Sequence, residues 1–245
     1  MILRRITEHV KAQNWFAVGL DFLIVVFGVF IGIQVSNWNE ARAETHREAS
    51  HLAALREDFI AVIAELESDI ARYEEIANAM TLLLDQSHKP VPDVSQADLT
   101  AAVRLLTAME GTPIVSDTYT NLTGSGDLAI ISSQMIKNAM ASFFSEADTV
   151  ELVANTHELQ LVNIFQPYVI ANLDYVVFLR ESPGLRSSAP FEPERILTAL
   201  PTAEFRNVVA VKWDITTDIR GLLVTALAEA RAVEALLSEE LERRS

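Results

Sequence analysis

Phe22-Leu23-Ile24-Val25-Val26-Phe27-Gly28-Val29-Phe30-Ile31-Gly32-Ile33 is a run of twelve residues without a polar side chain. Widened to Trp15–Val35 it covers 21 residues, interrupted by Asp21 and Gln34. As a helix rising about 1.5 Å per residue, that stretch is roughly 31 Å long, the thickness of a bilayer's hydrocarbon core. Trp15 and Trp38 flank it, where aromatic anchors sit at the membrane–water boundary. Residues 15–36 therefore read as a transmembrane helix, with residues 1–14 as a short tail before it and residues 37–245 as a domain after it. A cleaved signal peptide is the rival reading, and Ala41-Arg42-Ala43 resembles a cleavage site. The apolar run exceeds a signal's usual ~7–15 residues, however, and Asn37-Trp38-Asn39-Glu40 separates it from that site. A retained anchor is expected.

Arg4, Arg5 and Lys11 crowd the short N-terminal flank, whereas Arg42, Arg47 and Arg56 are spread over a longer stretch on the other side. Basic density places the N-terminus in the cytoplasm and the C-terminal domain outside, in the periplasm of a bacterial inner membrane. Residues 1–40 hold three basic and three acidic side chains, so the exported part carries the whole formal charge of −15. That balance excludes the basic face a nucleic-acid binder needs. The 245 residues include no cysteine, which excludes disulfides, cysteine-ligated metals and thiol chemistry.

Beyond the apolar run, no Gly or Pro occurs between Gly32 and Pro90, so no helix breaker divides the membrane helix from residues 37–89. Leu52, Leu55, Phe59, Val62 and Leu66 step by three and four, the mark of an amphipathic helix. Ile70, Tyr73, Ala77, Met80 and Leu84 resume that stepping after a slip near Ser68. Glu40, Glu44 and Glu48 read as a solvated stripe. Pro90 and Pro92 end this helix. Ser95 with Asp98 forms a capping box for a short helix from Gln96 to Met109. Glycines and Pro113 punctuate residues 111–127. Ser132 or Ser133 caps a long helix reaching about Leu179, broken at Pro167, and Ser182–Pro193 is a loop. A helical turn spans Pro193–Leu200. Thr202 caps a last helix through Phe205, Val209, Ile215, Ile219, Leu222, Leu223, Leu227 and Leu236 towards Arg243. Trp213 reads as a core residue. The fold class is all-α: an N-terminal transmembrane helix followed by an extramembrane bundle of long helices.

Asp21 stands out as a carboxylate inside an apolar helix, costly in hydrocarbon unless paired, protonated or wetted. At 100° per residue Asp21, Val25, Gly28 and Gly32 share one face, and Gly28-x-x-x-Gly32 is the spacing that lets helix backbones approach closely. A contact with another membrane helix is one reading of this face; a carboxylate reaching water at the headgroup boundary is the other. Glu48-x-x-His51 is half of a di-iron signature, but Ala154 stands where the partner of His157 would need a Glu. His46 and His51 are five apart, not the four that aligns two ligands. Thr123-Gly124-Ser125-Gly126-Asp127 lacks the lysine of a phosphate loop and reads as a turn. Neither metal, cofactor nor catalytic set is expected.

Two stretches carry a resemblance. One runs from Gly19-Leu20-Asp21-Phe22 through Gly32-Ile33-Gln34 and closes with Asn37-Trp38-Asn39-Glu40; the other joins Tyr119-Thr120-Asn121-Leu122 to Ser125-Gly126-Asp127-Leu128. Together they resemble an uncharacterised family of bacterial single-pass membrane proteins whose domain has no assigned function. The resemblance implies an exported helical domain and, in that family, an acidic residue, usually Glu, at the place of Asp21. It also marks Tyr119, Asn121, Ser125, Gly126 and Asp127 as a candidate interaction loop. The expected partners are the lipid bilayer and another membrane helix, in a homo-oligomer or a larger membrane complex. A non-enzymatic scaffold or accessory subunit leads. A periplasmic ligand-binding or sensory bundle, working through a partner, is the alternative, and an ion-coupled stator-like subunit using Asp21 is a third.

Overall fold

Residues 33–89 contain no helix breaker, and α1 accordingly runs unbroken over Trp15–Ser87. The computed structural model describes residues 15–109, 114–176 and 194–244, with side chains from Leu20 onward except that of Asp21. All regular structure among these residues is helical, and the fold is all-α. The chain divides into two units, Met1–Ser50 and His51–Ser245. In the first, the described side chains from Phe22 to Arg47 are all exposed. This part of α1 is long and apolar enough to cross a membrane. Glu48, expected on a solvated stripe with Glu40 and Glu44, is instead buried, because it stands one helical step before Leu52 on the buried line.

The second unit is built on three long helices: the part of α1 from His51, α4 (Gln134–Gln160) and α7 (Ala203–Arg244). Phe59 meets Phe143 edge to face at 5.0 Å, and Tyr73 lies 6.4 Å from His157. Both pairs have the same separation in sequence, so α1 and α4 run parallel and in step. Ion pairs Arg56–Glu234, Arg231–Glu67 and Arg220–Glu74 set α7 antiparallel to α1.

The buried apolar and aromatic positions on α1 are Leu52, Leu55, Phe59, Val62, Leu66, Tyr73, Ile76, Met80 and Leu83. Their spacing alternates three and four without interruption if Asp69 fills the position between Leu66 and Tyr73. The expected slip near Ser68 is therefore absent. Asp69 and Ile70 are both half-buried, and the buried line resumes at Tyr73 and goes on to Ile76 and Leu83, leaving Ala77 and Leu84 at its side. On α7 the line likewise runs through Ala226, Ala230, Val233 and Leu237, with Leu222, Leu227 and Leu236 flanking it. Small alanines at the centre bring the backbones close, and the leucines close the edges.

Local chemistry starts the helices where the polar residues stand. Ser95 Oγ accepts from Asp98 N–H at 3.1 Å, and the Asp98 carboxylate accepts from the Ser95 N–H, a complete capping box for α2 (Gln96–Arg104). A 3₁₀ turn, Leu105–Thr107, succeeds α2 in place of further α-helix. Ser133 caps α4 and Thr202 caps α7 through the N–H groups of Ile136 and Phe205. The glycine-punctuated stretch holds a further helix, α3 (Asp117–Ser125), capped by Ser116. The Asp58 carboxylate of α1 fixes that cap, accepting from the Ser116 hydroxyl at 2.6 Å and the Thr118 N–H at 3.0 Å.

The break expected at Pro167 is a π turn, Leu161–Phe165, directly before it, in which Gln166 N–H reaches back to the Leu161 carbonyl. The wider turn re-pairs backbone groups where proline supplies no N–H. The helix then ends sooner than expected: α5 (Gln166–Asn172) stops at Leu173, which is extended. Asp174 Oδ1 accepts from Val176 N–H, a side-chain alternative to the helical bond. The loop expected at Ser182–Pro193 lies outside the described residues. The short turn after it is α6 (Glu194–Ala199).

Candidate functional site

The side of the bundle holds a cavity of about 480 Å³, within the range of small-molecule sites. α4 supplies one wall through a stripe at helical spacing: Phe144, Asp148, Glu151, Asn155 and Glu158. α1 contributes Asp69 and Tyr73, and α7 contributes Ile219 and Leu223. The floor is apolar and aromatic, because these positions adjoin the buried lines of three helices. The rim is acidic: among the described residues Asp69, Asp148, Glu151 and Glu158 line the space, and no Lys or Arg does. Asp148, Glu151 and Glu158 form no ion pair among the described residues. No group of three or more His, Asp or Glu side chains among the described residues is placed to hold a metal ion.

Tyr73, which lines the cavity, lies 6.4 Å from His157, a member of a buried pair of basic groups. Lys212 of α7 and His157 of α4 are both fully buried. Lys212 Nζ lies 2.6 Å from His157 Nε2 and donates to the Ala108 carbonyl oxygen at 2.6 Å. The Phe165 ring lies 5.0 Å from the same nitrogen. No carboxylate pairs with Lys212 among the described residues, so a charge there is poorly compensated. Burial holds its pKa down to about 7. Burial, and then the charge of Lys212, lower His157 to about 4. Among the described residues His157 Nδ1 has no hydrogen-bond partner, and neither does the buried Thr216 Oγ1 one helical turn along α7. The pair is buried, and its contacts join the end of the 3₁₀ turn, α4 and α7.

Sequence reasoning missed this pair. It took Trp213 for the core residue, whereas Trp213 is exposed and its neighbour Lys212 points inward. The alternation of three and four through Val209, Lys212, Thr216 and Ile219 carries the signal, but a lysine at such a position is discounted by its charge.

The residues expected on the membrane face stand in α1. Val25 is exposed, and nothing approaches within 4 Å of a Cβ placed on Gly28 or Gly32. The side chains of Asp21 and Trp15 lie outside the described residues. Trp38 is exposed, with the Arg42 guanidinium 5.7 Å from its ring. In the expected loop, Tyr119 stacks on Phe144 at 4.0 Å, close by the cavity wall. Gly126 takes φ 81°, the left-handed conformation that ends α3 and that favours glycine. Asn121, Ser125 and Asp127 are exposed. The segment is thus a helix with its stop rather than a bare turn. Comparison with family models, with curated proteins and with solved structures finds no match for this chain.

Proposed function

We propose that this is a membrane-anchored, non-enzymatic interaction protein, a scaffold or accessory subunit of a membrane complex. Residues 15–36 span a bacterial inner membrane, the N-terminus is cytoplasmic, and residues 37–245 lie in the periplasm. The observation that carries the reading is the uncovered apolar surface of α1. From Phe22 to Trp38 the described side chains are exposed, and both glycines of the small-residue face are open. A surface of that length and polarity requires lipid or another helix against it. Glycines gain nothing from facing lipid but admit a close neighbour, so the partner helix meets Gly28 and Gly32, with Asp21 on the same face paired or wetted.

Cysteine crosslinking in native membranes tests this directly, since the chain has no cysteine of its own. Cysteines at Val25 and Gly32 should crosslink to a partner helix far better than cysteines at Leu23 and Phe30, on the opposite face. Equal crosslinking from both faces would leave α1 as a lipid-exposed anchor. Reporter fusions after Ser245 test orientation: activity of a periplasm-dependent reporter is expected, and activity of a cytoplasm-dependent one reverses the topology.

A further inference from the structure

We infer that His157 and Lys212 form an acid-sensitive latch: the pair accommodates one proton, and a second proton parts the two side chains and frees the Ala108 end of the 3₁₀ turn while the long helices stay packed. The inference concerns the bundle alone and does not depend on what α1 meets in the membrane. It rests first on the hydrogen-bonding capacity of the two groups. Lys212 Nζ lies 2.6 Å from His157 Nε2 and donates to the Ala108 carbonyl oxygen at 2.6 Å. An ammonium group has donors only, so His157 Nε2 must accept, which leaves the imidazole neutral with its proton on Nδ1. Among the described residues Nδ1 meets no hydrogen-bond partner. A second proton turns Nε2 into a donor facing a donor, and Nδ1–H still finds no acceptor. Two cations in contact inside an apolar core repel strongly.

The surroundings offer the second proton no compensation. From α1 the pair meets Tyr73, whose ring lies 6.4 Å from that of His157. The π turn brings Phe165, 6.2 Å from the imidazole and 5.0 Å from Nζ. α7 adds the buried hydroxyl of Thr216, and the 3₁₀ turn adds the Ala108 carbonyl. The charged groups nearby in sequence are engaged elsewhere among the described residues. Glu158, Asp214 and Asp218 are exposed, Asp69 is half-buried at the cavity, and Arg220 reaches Glu74. Glu110, two residues past Ala108, lies outside the described residues and enters the test. Burial, and then the Lys212 charge, hold His157 down to about 4, against an ordinary 6.5. Once parted and wetted, the imidazole regains its ordinary proton affinity, so falling pH favours the parted arrangement from about 6.5 down through about 4. The turn's end is the part that yields. Ala108 is tied to α7 by this bond, whereas Leu106 and the long helices are held by apolar burial that no proton alters.

The test is hydrogen–deuterium exchange on the full-length protein in nanodiscs of zwitterionic lipid, at about pH 7 and about pH 4, corrected for the intrinsic pH dependence of exchange. Protection of the amides at 105–108 should fall by about tenfold or more on acidification, the scale of a one-unit difference in pKa between packed and parted states. Protection along 59–66 of α1 and 219–237 of α7 should hold. Exchange at the imidazole carbon, read on the parent chain, should place the His157 midpoint well below 6.5. His157→Gln keeps an acceptor for Lys212 but takes up no proton, so its turn should be equally protected at both pH values. Lys212→Met removes the bond to Ala108 and should leave 105–108 poorly protected at both. Glu110→Gln should respond as the parent does. Unchanged protection in the parent overturns the inference, as does simultaneous loss along the long helices or an ordinary His157 midpoint. So does a response that survives His157→Gln or vanishes in Glu110→Gln.

Discussion

One helix, α1, carries two hydrophobic regions that solve opposite problems. Residues 22–38 are apolar on nearly every side and exposed all round, whereas residues 52–83 are apolar along one line and that line is buried. Phe27 is 60% exposed and Phe59 0%, although both are phenylalanines in unbroken helix. The difference lies in the periodicity of the residues around them. An apolar surface on every side of a helix cannot be buried by two neighbours and is suited to lipid. A stripe with polar flanks is buried by two neighbours and leaves a face for water. The average hydrophobicity of a segment thus says little until its period is known.

The largest expected effect separates the two regions by the same deletion. Phe59→Ala should destabilise the bundle by about 3–5 kcal/mol, since Phe59 packs edge to face on Phe143 and no solvent refills the gap. Phe27→Ala should leave the unfolding transition of the bundle where it is. Chemical denaturation of the detergent-solubilised chain, followed by near-ultraviolet circular dichroism, measures both. Equal losses would erase the distinction.

A comparable effect concerns the one charged group the buried line of α7 encloses near its start. Lys212 binds its proton less well folded than unfolded, so the unfolded chain holds more protons between about pH 7 and pH 10.5. Stability should therefore rise with pH across that window. The part due to Lys212 is fully present above pH 10.5 and lost as pH falls through 7, a swing on the order of 4 kcal/mol. Lys212→Met should remove that slope relative to the parent chain. His157, lowered from 6.5 to about 4, adds a second loss as pH falls from 6.5 through 4, which His157→Leu should remove. Unfolding free energy measured as a function of pH for the three proteins checks the signs. A parent chain whose stability falls between pH 7 and pH 10 relative to Lys212→Met would contradict them.

On the proposed membrane anchoring, a charge in the exposed region acts through the bilayer instead. Val29→Arg should reduce membrane integration by about 2.5–3.5 kcal/mol of apparent insertion free energy, read as the fraction of chains resisting carbonate extraction. The bundle's own melting should not change. The smallest effect is local to one helix end: Ser95→Ala removes an acceptor for Asp98 N–H and should cost about 1 kcal/mol. That loss should appear in the bundle and be absent from integration.

Much of the fold is legible because its signals are short in range. Ser95, Ser133 and Thr202 name helix starts since each hydroxyl meets an N–H three residues on. Pro90 and Pro92 stop α1 for want of backbone donors. α3 was hidden because threonines and glycines favour turns, and its support is Asp58, far away in sequence. The buried line of α1 was legible up to Leu66 and again at Tyr73 and Met80, whereas Ile76 and Leu83 complete it in place of Ala77 and Leu84.

The residues by themselves determined the helical class, the apolar span of α1, the helix caps and most of the buried periodicity, all of which depend on neighbours within a turn or two. The pairing of α1 with α4 in step, the inward turn of Lys212 against His157 and the acidic cavity beside Tyr73 were decided by tertiary structure alone. Each joins residues from helices separated by long stretches of chain. Their register is set by which side chains interlock when three helices pack, a matter of shape across an interface that no local pattern encodes.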